Sequence, residues 1–277
     1  MRPLFVFLTA KLVGKINDST YTAATLIELM HTATLIHDDV VDESYERRGK
    51  FSINALWKSK LSVLLGDYFL ARGLLLASKK KDHHLLDIVS NAVKEMSEGE
   101  LLQLQKSRKL NIDTASYYDV IRKKTATLIA SCFASGAKAV GSSQEEIDDL
   151  YTMGINIGMA FQIKDDLFDY QPGGITGKPA ANDLKEKKFT LPLIYALEQS
   201  KKNDVRSILK LFKNGSMNNS KIDHIIDFVK THDGLKFAEK KMYEYKSNAE
   251  KILKAFPDNE ARQSLFDLIT FTVERKK

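Results

Sequence analysis

Only one cysteine, Cys132, occurs in 277 residues, which excludes an internal disulfide, makes a thiolate metal site untenable and fits a reducing cytosol. Its apolar surroundings read as core filling. Proline is nearly as scarce, with 5 in the chain. No Pro/Ser-rich run marks a linker, so one domain over 1–277 is expected. No apolar run reaches the roughly 18 to 20 residues of a membrane-spanning helix, and no basic-then-apolar leader opens the chain. The reading is a cytoplasmic protein without a transmembrane segment. Charge of one sign is also in short supply. The balance of 42 Lys+Arg against 36 Asp+Glu leaves +6. That charge is diffuse and suits anionic ligands, but basic and aromatic residues do not interleave on one face, so no nucleic-acid partner is expected.

What is present is helical periodicity in a chain that is 43% apolar, enough for a sizeable core. Apolar residues recur every three or four positions, and no convincing two-residue alternation appears, so the fold class is all-α. After an apolar run from Leu4 to Leu8, a helix is expected from Ser19 to about Asp42, near 36 Å at 1.5 Å per residue. Further helices are expected over Leu61–Lys79, His83–Gln105, Thr114–Val140 and Ser143–Tyr170, the last opened by a Ser143/Glu146 capping box. Lys79-Lys80-Lys81 reads as a solvated helix end. Residues 171–188 carry Pro172-Gly173-Gly174 and Gly177-Lys178-Pro179 and form the one long irregular segment, a candidate lid. Helical patterns resume over Leu191–Gln199, Val205–Phe212, Lys221–Thr231, Leu235–Phe256 and Asn259–Arg275.

Two acidic clusters stand out. Asp38-Asp39-Val40-Val41-Asp42 recurs in form as Asp165-Asp166-Leu167-Phe168-Asp169. Asp38 and Asp42 share a helix face, as do Asp165 and Asp169, while Asp39 and Asp166 lie about 100° round. Such packing of like charge weakens a helix by a few tenths of a kcal/mol unless cations offset it. Carboxylates with no cysteine and no ordered histidine pair suit Mg²⁺, which keeps several waters and bridges carboxylates to phosphates. The adjacent pair His83-His84 faces two sides of a helix and makes no metal site. A diphosphate held through Mg²⁺ between two facing helix ends is the reading.

With these motifs go Arg47-Arg48-Gly49 and Asn54, Gly66-Asp67, Gly99-Glu100 with Gln103, Lys124-Thr125, Gln162, and Asp183-Leu184 through Lys188 to Thr190-Leu191-Pro192. In these residues, nearly end to end, the chain resembles the trans-polyprenyl diphosphate synthases. The resemblance implies an isoprenoid synthase-type helical bundle around a deep apolar pocket, and a homodimer. It implies condensation of isopentenyl diphosphate onto an allylic diphosphate, with two or three Mg²⁺ ions on Asp38, Asp39, Asp42, Asp165, Asp166 and Asp169. The catalytic set is Asp38, Asp42, Asp165, Lys124 and Lys188. Metal ions on Asp38, Asp42 and Asp165 would neutralise the departing pyrophosphate. Arg47, Lys124 and Lys188 would add fixed charge beside Thr125, Gln162 and Lys178.

By the same resemblance, isopentenyl diphosphate meets Arg2, His31 and Arg48 and keeps its diphosphate. A lysine from a Gly-Gly-Lys segment and a helix before Arg2 also belong to the pattern. They are missing, so a shortened N-terminus is the expectation. Phe51 replaces a usual proline, and Ala181 and Lys187 replace common glycines. One turn below Asp38 the wall is small, Ala33 and Thr34, where short-chain members carry aromatics. At one isoprene unit per 5.4 Å turn, the 36 Å helix would line about seven or eight units. The product expected is about C40, made from farnesyl diphosphate for quinone side chains. A short- or medium-chain synthase, a non-catalytic subunit of a heteromeric synthase and a terpene cyclase are the alternatives. Two intact clusters with an Arg-Arg-Gly segment argue against the last two.

Overall fold

The computed structural model describes residues 1–47, 50–80, 82–109, 113–171, 181–213 and 217–275. Its elements, in chain order, are α1 (Arg2–Val13), α2 (Asp18–Val41), a short antiparallel pair β1 (Glu46–Arg47) and β2 (Lys50–Phe51), α3 (Ile53–Lys80) and α4 (His83–Lys109). Then come α5 (Thr114–Ile121), a π-helical turn (Arg122–Ala126), α6 (Thr127–Ala139), α7 (Gln144–Phe168) and the one-turn α8 (Asn182–Lys185). The chain closes with α9 (Leu191–Glu198), α10 (Lys202–Lys213), α11 (Asn219–Thr231), α12 (Gly234–Leu253) and α13 (Glu260–Glu274). The fold is all-α, as the periodicity predicts, apart from the four-residue hairpin.

Local sequence sets the helix starts. The capping box at α7 is present: the Ser143 hydroxyl accepts from the Glu146 amide and the Glu146 carboxylate accepts from the Ser143 amide. Asn17 and Thr20 make the same reciprocal pair before α2, while Asp113 and Asn259 cap α5 and α13. Such caps satisfy amides that a helix start otherwise leaves unbonded. Two apolar clusters lie along the bundle. One joins α1–α4, α6, the first half of α7, the end of α12 and α13 around Phe133, Leu26, Leu150 and Met153. The other joins α5, the second half of α7, α8 to α12 and the end of α13 around Ile163, Leu184, Leu193 and Phe212.

Three expectations need correction. The helix expected from Leu61 is preceded by one further helical turn from Ile53, set off by a break at Lys58 with φ 63°, ψ 166°. The helix expected over Thr114–Val140 is interrupted by the π turn at Arg122–Ala126. By length and composition α3 is apolar enough to cross a membrane, although its apolar stretch is not mainly buried, against the expectation of no such helix. The reason is an inverted face pattern. α3 buries small residues, Ser62, Gly66, Gly73 and Ala77, where it packs on α2. It exposes Leu61, Leu64, Tyr68 and Leu75, which fall at helical spacing on another stripe.

Candidate active site

The first cluster ends α2. Asp38 and Asp42 share a face, with the Asp42 amide donating to the Asp38 carbonyl at 2.8 Å. Asp39 is turned inward and is 4% exposed. Its carbonyl accepts from the Ser44 amide at 2.9 Å and the Asn54 side chain at 3.1 Å. Asn54 belongs to the first turn of α3, before the break at Lys58. The irregular start of α3 therefore holds the acidic end of α2. Arg47 lies in β1. Its side chain, together with Arg48 and Lys178, lies outside the described residues.

The second cluster ends α7 and divides its aspartates. Asp165 is half-buried and pairs with Arg275 at 2.5 Å, and that guanidinium also stacks over Phe161, 4.0 Å from the ring centroid. Asp169 accepts from the Asp183 amide at 3.3 Å. Asp166 is 4% exposed and accepts from the Tyr117 hydroxyl at 2.6 Å and the Gln162 amide at 3.0 Å. Burial, followed by the charge of Asp183, pushes the Asp166 carboxyl up to about 8, against the pull of its two donors. A carboxylate this enclosed shows almost no oxygen surface to a hydrated ion. Asp166, and Asp39 likewise, fit a metal-ligand role less well than Asp38, Asp42 and Asp165, and one Asp169 oxygen is also buried.

Lys188 lies within electrostatic reach of both ends. Burial alone depresses its ammonium, but the hydrogen bond and charge of Glu186, then the charges of Asp42 and Asp183, hold its pKa above the usual lysine value. One lysine thus feels an aspartate from the first cluster and the residue whose amide binds the second. Lys124 sits on the π turn and reaches Glu100 at 2.6 Å and Gln103 at 2.9 Å. Beside it Thr125 donates to Gln162 at 2.8 Å. Farther down α2, Arg2 makes two 3.1 Å contacts to Glu28, one turn below His31. The Thr34 hydroxyl donates to the His31 carbonyl at 2.9 Å. Ala33, 1% exposed, falls at helical spacing between Met30 and His37. Both of these touch α3, so Ala33 faces α3 and Thr34 lies about 100° round.

The donor set is all oxygen, which fits a hard divalent ion. Among the described residues no three acidic, histidine or cysteine side chains converge as a ready-made metal nest. Mg²⁺ does not require one, since one or two carboxylates, waters and substrate phosphates complete its shell. Sequence reasoning missed Arg275, Tyr117 and Glu28. Arg275 is 110 residues from Asp165, and nothing in local spacing points from one to the other.

Residues 1–229 match the polyprenyl synthetase family. Octaprenyl diphosphate synthase of Escherichia coli is 34% identical, with the alignment covering 100% of this chain and 86% of that protein. A polyprenyl synthase from Caulobacter crescentus CB15, crystallised with calcium and isoprenyl diphosphate, has a TM-score of 0.91 at 34% identity, covering 100% of this chain and 84% of that one. Geranylgeranyl pyrophosphate synthase from Bacteroides thetaiotaomicron has a TM-score of 0.87 at 37% identity, covering 99% and 87%. Likeness of this extent, in sequence and in backbone, shows that the chain belongs to the polyprenyl synthetase family of prenyltransferases.

Proposed function

We propose that this chain extends an allylic diphosphate by repeated condensation with isopentenyl diphosphate, giving an all-trans polyprenyl diphosphate of about C40. The observation that carries the reading is Lys188, flanked by Asp42 and Asp183, with the Asp183 amide on Asp169. A cation within electrostatic reach of both acidic helix ends is what a shared diphosphate site requires. The C1–O bond of the allylic diphosphate breaks, the isopentenyl double bond attacks C1, and the proton then released goes to the departing pyrophosphate. Lys124 and Lys188 hold that pyrophosphate with fixed positive charge in a partly dry site, and Thr125 with Gln162 orients it. Magnesium, when bound to Asp38, Asp42 and Asp165, supplies further neutralisation of the leaving group. Arg2 and His31, on the adjoining turns of α1 and α2, belong to the isopentenyl side.

Chain length follows from α2. Its 24 residues run about 36 Å at 1.5 Å per residue; Thr34 is small, and Ala33, buried toward α3, adds no bulk below Asp38. On this reading 1–277 acts as one domain, because α7 and α12 contribute to both apolar clusters. The exposed stripe of α3 is covered in a homodimer, which fits apolar residues lined along one face. Sedimentation of a Leu64→Glu variant as the same species as wild type would count against that interface. The free, fully buried Cys132 thiol is at home in the cytoplasm, and the product would serve quinone side chains. The competing reading is a shorter product, favoured by the likeness to a geranylgeranyl pyrophosphate synthase. The test incubates purified protein with Mg²⁺, labelled isopentenyl diphosphate and farnesyl diphosphate, and sizes the products. A C40 ladder supports the proposal and a C20 stop supports the competitor. No elongation, with known synthase active alongside, refutes catalysis and leaves a non-catalytic subunit.

A further inference from the structure

We infer that Asp166, anchored by Tyr117, is a positioning residue that braces the Gln162–Thr125 pair, rather than a metal ligand of the second acidic cluster. The inference rests on the prenyltransferase reading for the identity of the site, and on geometry for the role. Asp166 and Tyr117 are 4% and 3% exposed. One Asp166 oxygen takes the Tyr117 hydroxyl at 2.6 Å and the other takes the Gln162 amide nitrogen at 3.0 Å. The Gln162 carbonyl oxygen then receives the Thr125 hydroxyl at 2.8 Å. The Gln162 amide thus turns its nitrogen to Asp166 and its oxygen to Thr125, the orientation that pairs donor with acceptor at both contacts.

The far end of this chain of bonds is the π turn. There the backbone leaves α-helical register, as it frequently does at functional sites. Flanking helices crowd it from two sides. A Cβ on Gly99 of α4 would come within 2.9 Å of the Lys124 nitrogen, and one on Gly158 of α7 within 2.4 Å of the Ala126 Cα. Both obstacles are backbone atoms, which cannot swing aside. Tyr117 precedes the turn on α5, Asp166 and Gln162 stand on α7, and Thr125 is on the turn itself. The hydrogen bonds therefore close a loop around the irregular segment and fix the Thr125 hydroxyl where a diphosphate would meet it.

Wild type, Tyr117→Phe, Asp166→Asn, Asp166→Ala and Asp165→Asn are compared by Mn²⁺ titration in electron paramagnetic resonance, calorimetric pyrophosphate binding in Mn²⁺, thermal melting and steady-state kinetics. Asparagine keeps the shape, with its oxygen accepting from Gln162 and its NH₂ donating to the Tyr117 oxygen. Asp166→Asn should therefore leave Mn²⁺ affinity unchanged, whereas Asp165→Asn weakens it roughly tenfold or more, as loss of a ligand does. Tyr117→Phe should weaken pyrophosphate about threefold to tenfold, the effect of one hydrogen bond to a buried carboxylate. The allylic KM should rise with little change in kcat. Asp166→Ala should lose more, and Asp166→Asn should recover it. If Asp166→Ala does not fold, the asparagine and phenylalanine variants carry the test. Loss of Mn²⁺ affinity in Asp166→Asn equal to that in Asp165→Asn would make Asp166 a ligand and overturn the inference. So would wild-type pyrophosphate affinity in Tyr117→Phe. Wild-type protein that binds Mn²⁺ and pyrophosphate without forming longer prenyl chains would refute the prenyl-transfer reading alone, because the binding arms still report on the brace.

Discussion

Lys58 carries the strongest backbone conflict in the molecule's described part, and its removal gives a quantitative prediction. At φ 63°, ψ 166° it occupies a region open essentially to glycine, and such a residue costs about 1–3 kcal/mol. Glycine adopts the conformation freely but costs about 0.5–1 kcal/mol more on folding through chain entropy. Lys58 is exposed, so its side chain contributes little packing. Lys58→Gly should gain about 0–2.5 kcal/mol on balance, centred near 1 kcal/mol. With an unfolding entropy near 2.1 cal/mol/K per residue, that is up to roughly 4 °C in Tm, centred near 2 °C. The control is Lys58→Ala, which shortens the side chain but keeps a Cβ, and should gain nothing. Thermal unfolding at fixed protein concentration reads both variants. Equal gains in glycine and alanine would place the effect in the lysine side chain, and a loss in glycine would refute the strain argument. The break also places Asn54 under the Asp39 carbonyl, so Lys58→Gly should keep its activity.

Lys187, exposed at φ 59°, poses a milder version: Lys187→Gly should gain about 0.5–1 kcal/mol, and unchanged denaturant midpoints would refute it. Asp166 sets a pH dependence. Its carboxyl is raised from 3.8 to about 8 in the fold, so between those values the folded protein holds a proton that the unfolded chain has released, and stability falls as pH rises. Asp166→Asn lacks that proton, so its melting temperature relative to wild type should climb from pH 5 to pH 8; a constant difference would refute the raised pKa. Arg275→Gln removes a cation from Asp165 in a pair that is partly exposed. Mn²⁺ affinity should rise about twofold to fivefold, the equivalent of a pair worth about 0.5–1 kcal/mol, and weaker Mn²⁺ binding would show that Arg275 supports the ion instead.

Periodicity and capping carried most of the fold into view because they are local. The apolar spacing from Ser19 onward matches α2 to within a residue at each end, and the Ser143/Glu146 box starts α7 where expected. The misses arise where tertiary packing overrides a local pattern. Nothing around Lys58 foretells a helix break, because a lysine is an ordinary helix former and only the fit of Asn54 beneath α2 requires the kink. Nor does Arg122–Ala126 announce a π turn, a segment that α4 and α7 approach closely at Gly99 and Gly158. In the site, aspartate spacing correctly turned Asp38 toward Asp42 and away from Asp39. It set Asp39 and Asp166 apart but did not show that both would be buried, which for Asp166 depends on Tyr117, 49 residues before it.

The same limit explains the cations. Spacing and resemblance picked out Arg2, Lys124 and Lys188, but not that each rests against a carboxylate: Glu28, Glu100 and Glu186. With Arg275 on Asp165, the positive charge of the region is locally compensated despite the chain's +6. Burying unpaired ammonium groups would cost several kcal/mol per charge. Pairing them on partly exposed carboxylates avoids that cost, and each such pair contributes only about 0–1 kcal/mol. A diphosphate, with more charge and more acceptor oxygens than a single carboxylate, therefore has weak partners to displace. The cations are held in place without being held tightly, and that is the property a site needs if it must grip pyrophosphate and release it at every round of elongation.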